Sequence, residues 1–273
     1  MTPPPDVKST LIPAKVRTLG VVSFLNALPL YESLTGRADL TIVPAVPSRL
    51  GGFLAEGRCA AALLPVVAYW RERRRLTLIS DACIASDGET MTVRVFSKAP
   101  PDAVQRLYVD GDSQTSVVLA QVVWRELYGK ALELVPWNGS NGSTGAAGAI
   151  STEPESVLLI GDKVVRERPR GFGFEVDLGA AWKHLTGLPF VFAAWFGEAE
   201  QDHRALAEEL RAARDAGVAN AERIARKHAS RHGWPVDLAV TYLSHTMRYT
   251  ITDAMRAGMG RFFELAVGHG VLE

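Results

Sequence analysis

Residues 19–22 form a short apolar, β-branched run that stops at Ser23-Phe24-Leu25-Asn26 and meets Pro29 soon after. The run reads as a central strand, and the proline as the opening of a helix over residues 29–34. A strand that ends in hydroxyl and amide side chains ahead of a helix is where open α/β sheets place ligands. Unpaired N–H groups and the positive end of the helix dipole favour an anion there. An ordinary strand-to-helix turn, with Asn26 serving only its backbone preference, accounts for the same residues.

Further along, strand and helix patterns alternate, which predicts an α/β fold with a mostly parallel sheet. Strands are expected at residues 41–46, 60–64, 76–84 and 91–97, with helices at 47–56 and 65–73. The pattern restarts after Lys98-Ala99-Pro100-Pro101, with a strand at 107–109, a helix at 117–128, and strands at 132–135 and 157–160. Residues 188–196 are strongly apolar and read as a buried return strand. Helices are expected over 203–214, 220–231, 235–246 and 252–267. The chain therefore divides into two lobes: residues 16–97 with 194–273, and residues 98–193. A flexible N-terminus (residues 1–15) and a flexible Gly/Ser/Ala-rich insertion (residues 138–151) stand outside the core. A cleft between such lobes is a common place for a small ligand.

Four polar turns follow strands and are expected to face that cleft. They hold Ser23 with Asn26, Ser86 with Asp87 and then Thr92, Asp112 to Ser116, and Gly161 with Asp162. Thr115 and Ser116 at a helix start combine hydroxyls with free N–H groups, a neutral grip for a carboxylate or phosphate. Plain N-capping by Ser113 or Thr115 explains these hydroxyls as well, and Asp162 reads equally as the cap of a helix at 163–167. Trp182, Phe190, Phe192, Trp195 and Phe196 read as core, some of them lining the cleft.

Other classes of function find little support. The chain carries 30 basic and 30 acidic side chains, so no broad attraction to nucleic acid or an anionic membrane follows. No segment approaches the roughly 20 apolar residues of a membrane span, and residues 1–15 lack the apolar core of a signal peptide, so a cytoplasmic protein is expected. His228 and His232 lie four apart on one helix without the glutamate of a zinc hydrolase, and both read as surface residues. No dinucleotide glycine fingerprint, Gly-x-Ser-x-Gly elbow or Cys-x-x-Cys pair is present. Neither a metal nor a cofactor is expected. Cys59 and Cys83 sit in apolar runs and read as buried thiols. A homodimer is left open.

The segment Val22-Ser23-Phe24-Leu25-Asn26-Ala27-Leu28-Pro29-Leu30 resembles the opening motif of the chorismate dehydratase family, which acts in the futalosine route to menaquinone. Further matching segments follow in the same order: Val46-Pro47-Ser48-Arg49-Leu50, Ala62-Leu63-Leu64-Pro65, Cys83 to Gly88, Ser113 to Ser116, Leu159-Ile160-Gly161-Asp162 and Leu185 to Trp195. The resemblance spans roughly residues 16–200. It implies the two-lobed fold of type 2 periplasmic binding proteins. A related enzyme that forms 1,4-dihydroxy-6-naphthoate shares that fold, but its opening motif is of a Cys-Pro-Asn-Asp type absent here. A non-catalytic solute-binding protein would share the cleft, and would be expected to carry an export signal. Relatives often carry Ser where this chain has Thr92, which keeps the hydroxyl. They also often carry Ser and Glu where it has Val66 and Ala68.

The resemblance further implies a hydro-lyase that converts chorismate to 3-[(1-carboxyvinyl)oxy]benzoate. Asn26 is implied closest to the reacting atoms. Thr115 and Ser116 are implied at one carboxylate, with Ser48, Ser86 or Thr92 at another. Ser23, Gly161 and Asp162 complete the expected substrate contacts.

Overall fold

The computed structural model describes residues 16–112, 114–137, 154–166 and 169–273. Segments 1–15 and 138–151, expected to be flexible, lie outside the described residues. Strands β1 (Arg17–Val22), β2 (Leu40–Ala45), β3 (Ala61–Pro65) and β4 (Leu76–Ser86) alternate with α1 (Pro47–Ala55) and α2 (Val66–Arg71). The chain then builds a second sheet from β5 (Val93–Ser97), β6 (Arg106–Val109), β7 (Glu133–Pro136), β8 (Ser156–Ile160) and β9 (Phe174–Asp177). Helices α3 (Gln114–Tyr128), α4 (Asp162–Arg166) and α5 (Leu178–Thr186) accompany it. Strand β10 (Phe190–Glu198) returns to the first sheet, and the tail adds α6 (Arg204–Ala219), α7 (Ala221–His232), α8 (Val236–Thr241), β11 (Met247–Thr250) and α9 (Asp253–Gly268).

The first sheet has the order β11-β4-β10-β3-β1-β2 and the second β7-β6-β8-β5-β9. Every residue of β3 and β8 is buried, as are eight of the nine in β10. Unbroken apolar strands of this kind belong in sheets covered on both faces.

Both sheets are mixed, a departure from the expected mostly parallel arrangement. β10 runs antiparallel to β3 and β4, β11 runs antiparallel to β4, and β5 runs antiparallel to β8 and β9. The cause is the route of the chain. It leaves the first sheet at Ser86 and re-enters beside it at Phe190, so the returning strand must run the other way. Residues 93–97, expected with lobe 1, pair within the second sheet, while residues 190–193, expected with lobe 2, pair with β4 and β3. The strand β9, the helix α5 and the short β11 have no counterpart in the sequence reading. β9 and β11 are four residues long, too short for a clear two-residue alternation.

The helix expected over residues 29–34 is replaced by two 3-10 turns, Leu25–Leu30 and Glu32–Leu34. Pro29 falls inside the first, where it lacks the N–H that an α-helical ladder needs. Tyr31 then breaks the run at φ −148°. Helices of the tail hold this turn from behind. Glu32 accepts from Arg223 at 3.0 Å and from Lys227 at 2.9 Å, and these cations hold its carboxyl down at about 2. Gly217 of α6 lies against the Pro29 carbonyl, where a Cβ would stand 1.8 Å from the oxygen. Gly217→Ala is therefore expected to cost about 2 kcal/mol or more, lowering the melting temperature by several degrees. Gly260→Ala, which meets nothing within 4 Å, is expected to hold or raise it. Thermal unfolding followed by circular dichroism reads both.

Candidate functional site

A cleft opens between residues that follow strands of both sheets. Asn26 comes from the first 3-10 turn and Phe24 from the residue just before it, and Thr90 and Thr92 from the crossing between sheets. Asp112, the first turn of α3 (Gln114, Thr115, Ser116), Gly161 and Phe192 complete much of the wall. Among the described residues that line it, none is Lys, Arg or His.

Asn26 is buried at 9% exposure. Its Nδ2 donates to the Tyr242 hydroxyl at 3.0 Å, while its Oδ1 is buried without a partner. The Tyr242 hydroxyl also lies 2.6 Å from Thr92 Oγ1. Burial raises the pKa of this phenol, so it stays protonated and stands between the two side chains as a neutral group. Its ring stacks on Trp234 with centroids 4.7 Å apart.

Tyr242 was not among the residues singled out from sequence. It begins a π-helical turn, Tyr242–Thr246, where an uninterrupted helix over 235–246 was expected. Such turns frequently mark functional sites, but the local sequence Tyr-Leu-Ser-His-Thr carries no signal for one.

Thr92 is set by a strained neighbour. Met91 has φ +61°, a left-handed conformation unusual for a side chain of this size. Asp177 holds that backbone in place: its carboxylate accepts from the amides of Thr90 and Met91 and from the Thr90 hydroxyl. The same carboxylate caps α5 through the amides of Gly179 and Ala180.

Several expected contacts prove to be engaged elsewhere. The Thr115 hydroxyl donates to the Phe192 carbonyl at 3.3 Å and accepts from the Val67 amide at 3.4 Å. It thereby satisfies an orphan donor in the first turn of α2. Ser86 is fully buried off the cleft wall and donates to the Gly88 carbonyl, and Ser48 donates to Asp112. Ser23 is off the wall as well, with its amide bonded to Ala45. Ser116 remains on the wall, within the first turn of a 15-residue helix.

Gly161 lines the cleft at φ +60°, and a Cβ there would stand 2.7 Å from the Phe24 ring. Asp162 does not line it. Its carboxylate accepts from the Leu25 amide, His232 Nδ1 and Trp234 Nε1. His232 is thus a partnered, half-buried residue, and His228, also half-buried, lies 3.6 Å from Glu32, where both were expected as surface residues. The reason is that α7 turns one face toward the 3-10 turns. Asp87 is exposed and bonded to Lys183. Of the five aromatics, Phe192 lines the cleft and the other four are core. Cys59 and Cys83 are free and buried. No metal-holding cluster of His, Cys, Asp and Glu, and no helix long and apolar enough to cross a membrane, occurs among the described residues.

Two mixed sheets joined by two chain crossings, with a cleft between them, define a protein of the periplasmic-binding-protein fold. The Archaeoglobus fulgidus protein AF1704 superposes with a TM-score of 0.72 at 15% identity, covering 93% of this chain and 98% of that one. The alkanesulfonate-binding protein SsuA of Xanthomonas axonopodis pv. citri, bound to MOPS, superposes at 0.66 with 11% identity, covering 96% and 95%. In sequence, the chain is 29% identical over 264 residues to a chorismate dehydratase of Thermus thermophilus, covering 90% of this chain and 93% of the relative. Residues 17–267 match the family described as menaquinone biosynthesis, and the chain belongs to that family.

Tyr242→Phe is expected to leave the Asn26 amide and the Thr92 hydroxyl short of a partner in a buried place. A loss of about 1–3 kcal/mol in unfolding free energy, measured in urea, is the expected outcome.

Proposed function

We propose that this protein is a chorismate dehydratase, a hydro-lyase that eliminates water from chorismate to give 3-[(1-carboxyvinyl)oxy]benzoate. One observation carries the reading. Asn26, its Oδ1 buried without a partner, lines a cleft with no cation among its described lining residues, on a chain related over nine-tenths of its length to a chorismate dehydratase.

The reaction breaks the C3–H and C4–O bonds, and the product ring is aromatic, so the substrate supplies the driving force. The C3 proton is vinylogously acidic through the ring carboxylate. Donors that favour charge on that carboxylate lower the barrier. Ser116 and the backbone amides at the start of α3 are placed to supply them, helped by the dipole of a long helix. Neutral donors suit this role because they do not pin the charge before it develops.

Asn26 Oδ1 accepts the C4 hydroxyl and turns its oxygen toward the proton it must gain. Asn26 is not a base. Asp162 is fully engaged, Asp87 is exposed, and Asp112 on the wall is already held by Ser48 and by Lys163 at 3.1 Å. The enolpyruvyl carboxylate of the substrate therefore takes the C3 proton, and that proton leaves with the C4 oxygen as water. Phe24 and Phe192 keep bulk water away from this exchange.

The purified protein is expected to convert chorismate to the dehydrated product, followed by mass, with a chelator present. Asn26→Ala is expected to lower kcat by about 10²–10³ while KM changes far less, because the bond it removes matters most at the transition state. Chorismate binding without turnover, or near-normal kcat per folded molecule in Asn26→Ala, overturns the assignment.

A further inference from the structure

The Asp162 carboxylate is the most heavily used polar group near the cleft that touches no part of its wall. It stands at the start of α4, just after the strand β8 of the second sheet. Every partner it has belongs to the opposite side. The Leu25 amide lies 3.3 Å from both carboxylate oxygens, in the turn that follows β1. His232 Nδ1 lies at 2.7 Å and Trp234 Nε1 at 2.8 Å, at the end of α7 and just beyond it. Asp162 is only 7% exposed. A buried carboxylate with three donors is well compensated, and each donor lost leaves charge underserved.

Two of these bonds lead to Asn26. Leu25 is its immediate neighbour and shares its 3-10 turn. Trp234 stacks on Tyr242, whose hydroxyl accepts from Asn26 Nδ2. The geometry converges on the amide from both ends: one bond fixes the backbone beside it, the other fixes the ring that holds its nitrogen. Gly161, the residue before Asp162, closes over Phe24, which precedes that turn.

We propose that Asp162 is a positioning residue, whose carboxylate clasps Leu25, His232 and Trp234 beside the cleft, joining the second-sheet side to the opposite one, and so aims Asn26 Oδ1 at the substrate. This rests on the chorismate reading for its chemistry, while the clasp itself can be read without any turnover. Asn26 is one residue from the clasped amide, so loss of the clasp loosens the turn and misdirects the acceptor. Substrate held by the α3 end of the cleft is then bound nearly as before but reacts more slowly.

The test compares wild type, Asp162→Asn, Asn26→Ala and the double variant, with kcat and KM for chorismate and hydrogen exchange of the peptide spanning residues 24–30. In Asp162→Asn, kcat is expected to fall about 10-fold or more with KM changed less than about 3-fold, as for a lost orienting contact. Exchange in 24–30 is expected to rise. Placed on Asn26→Ala, the same change is expected to cost less than about 3-fold in kcat, because the group it aims is gone. Trp234→Phe leaves a smaller aromatic ring to stack on Tyr242 while removing the N–H together with the five-membered ring that carries it, and is expected to move kcat and exchange in the same direction by less. It carries the test if Asp162→Asn does not fold. A full, multiplicative loss in the double variant, or unchanged exchange at 24–30, overturns the proposal. If the wild type leaves chorismate intact while exchange responds as described, the chorismate reading falls and the clasp stands.

Discussion

The Tyr242 hydroxyl joins three parts of the chain that are far apart in sequence: the turn at Asn26, the crossing at Thr92 and the helical tail. A phenol buried in apolar surroundings keeps its proton and has few ways to satisfy it. Its two neighbours are therefore fixed relative to each other. The nitrogen of Asn26 is taken, and its oxygen is left buried without a partner on a residue of the cleft wall. Much of the remaining architecture keeps this small arrangement in place. Trp234 supports the ring, Asp177 holds the strained backbone beside Thr92, and α6 and α7 brace the turn beneath Asn26.

The absence of cations from the described cleft lining gives the site its chemical character. A lysine or arginine would bind a dianion tightly in every state it passes through, which raises affinity without raising rate. Helix amides and hydroxyls are weaker partners individually. They are already oriented, and they gain strength where charge builds in a site shielded from water. The cationic side chains nearby are committed to carboxylates: Lys163 to Asp110 and Asp112, Arg94 to Glu89 and Glu175, Lys183 to Asp87.

Much of this was legible in the sequence because central strands and turn chemistry are written locally. Residues 61–65 and 190–198 are almost wholly apolar, and both are buried strands. The opening motif places Asn26 on the cleft wall, as its strand-then-amide pattern suggests. What could not be read depends on partners distant in sequence. The hydroxyl of Thr115 looks free at a helix start, yet a carbonyl 77 residues away receives its proton. Asp162 looks like an ordinary cap, and its partners at Leu25 and Trp234 lie 137 and 72 residues away. Pro29 misled in the opposite direction. Proline is compatible with a helix start, yet here it falls inside the first of two tight turns, where it lacks the N–H of an α-helical ladder.

The position of β10 has a consequence for how the molecule comes into being. It inserts between β3 and β4, two strands that follow each other closely along the chain but are not neighbours in the sheet. While the chain emerges from the ribosome, β3 and β4 are made with the place between them unfilled. All strands of the second sheet, by contrast, lie within residues 93–177 and can pair as one continuous stretch. The first sheet closes only once residue 198 has been made, and β11 extends it later still. Because loops of this length must close before long-range pairing is rewarded, the interior lobe in sequence order matures ahead of the one that begins it. The two faces of the cleft thus draw on segments made at different times, and its described lining is complete only once Met247 of β11 has been made.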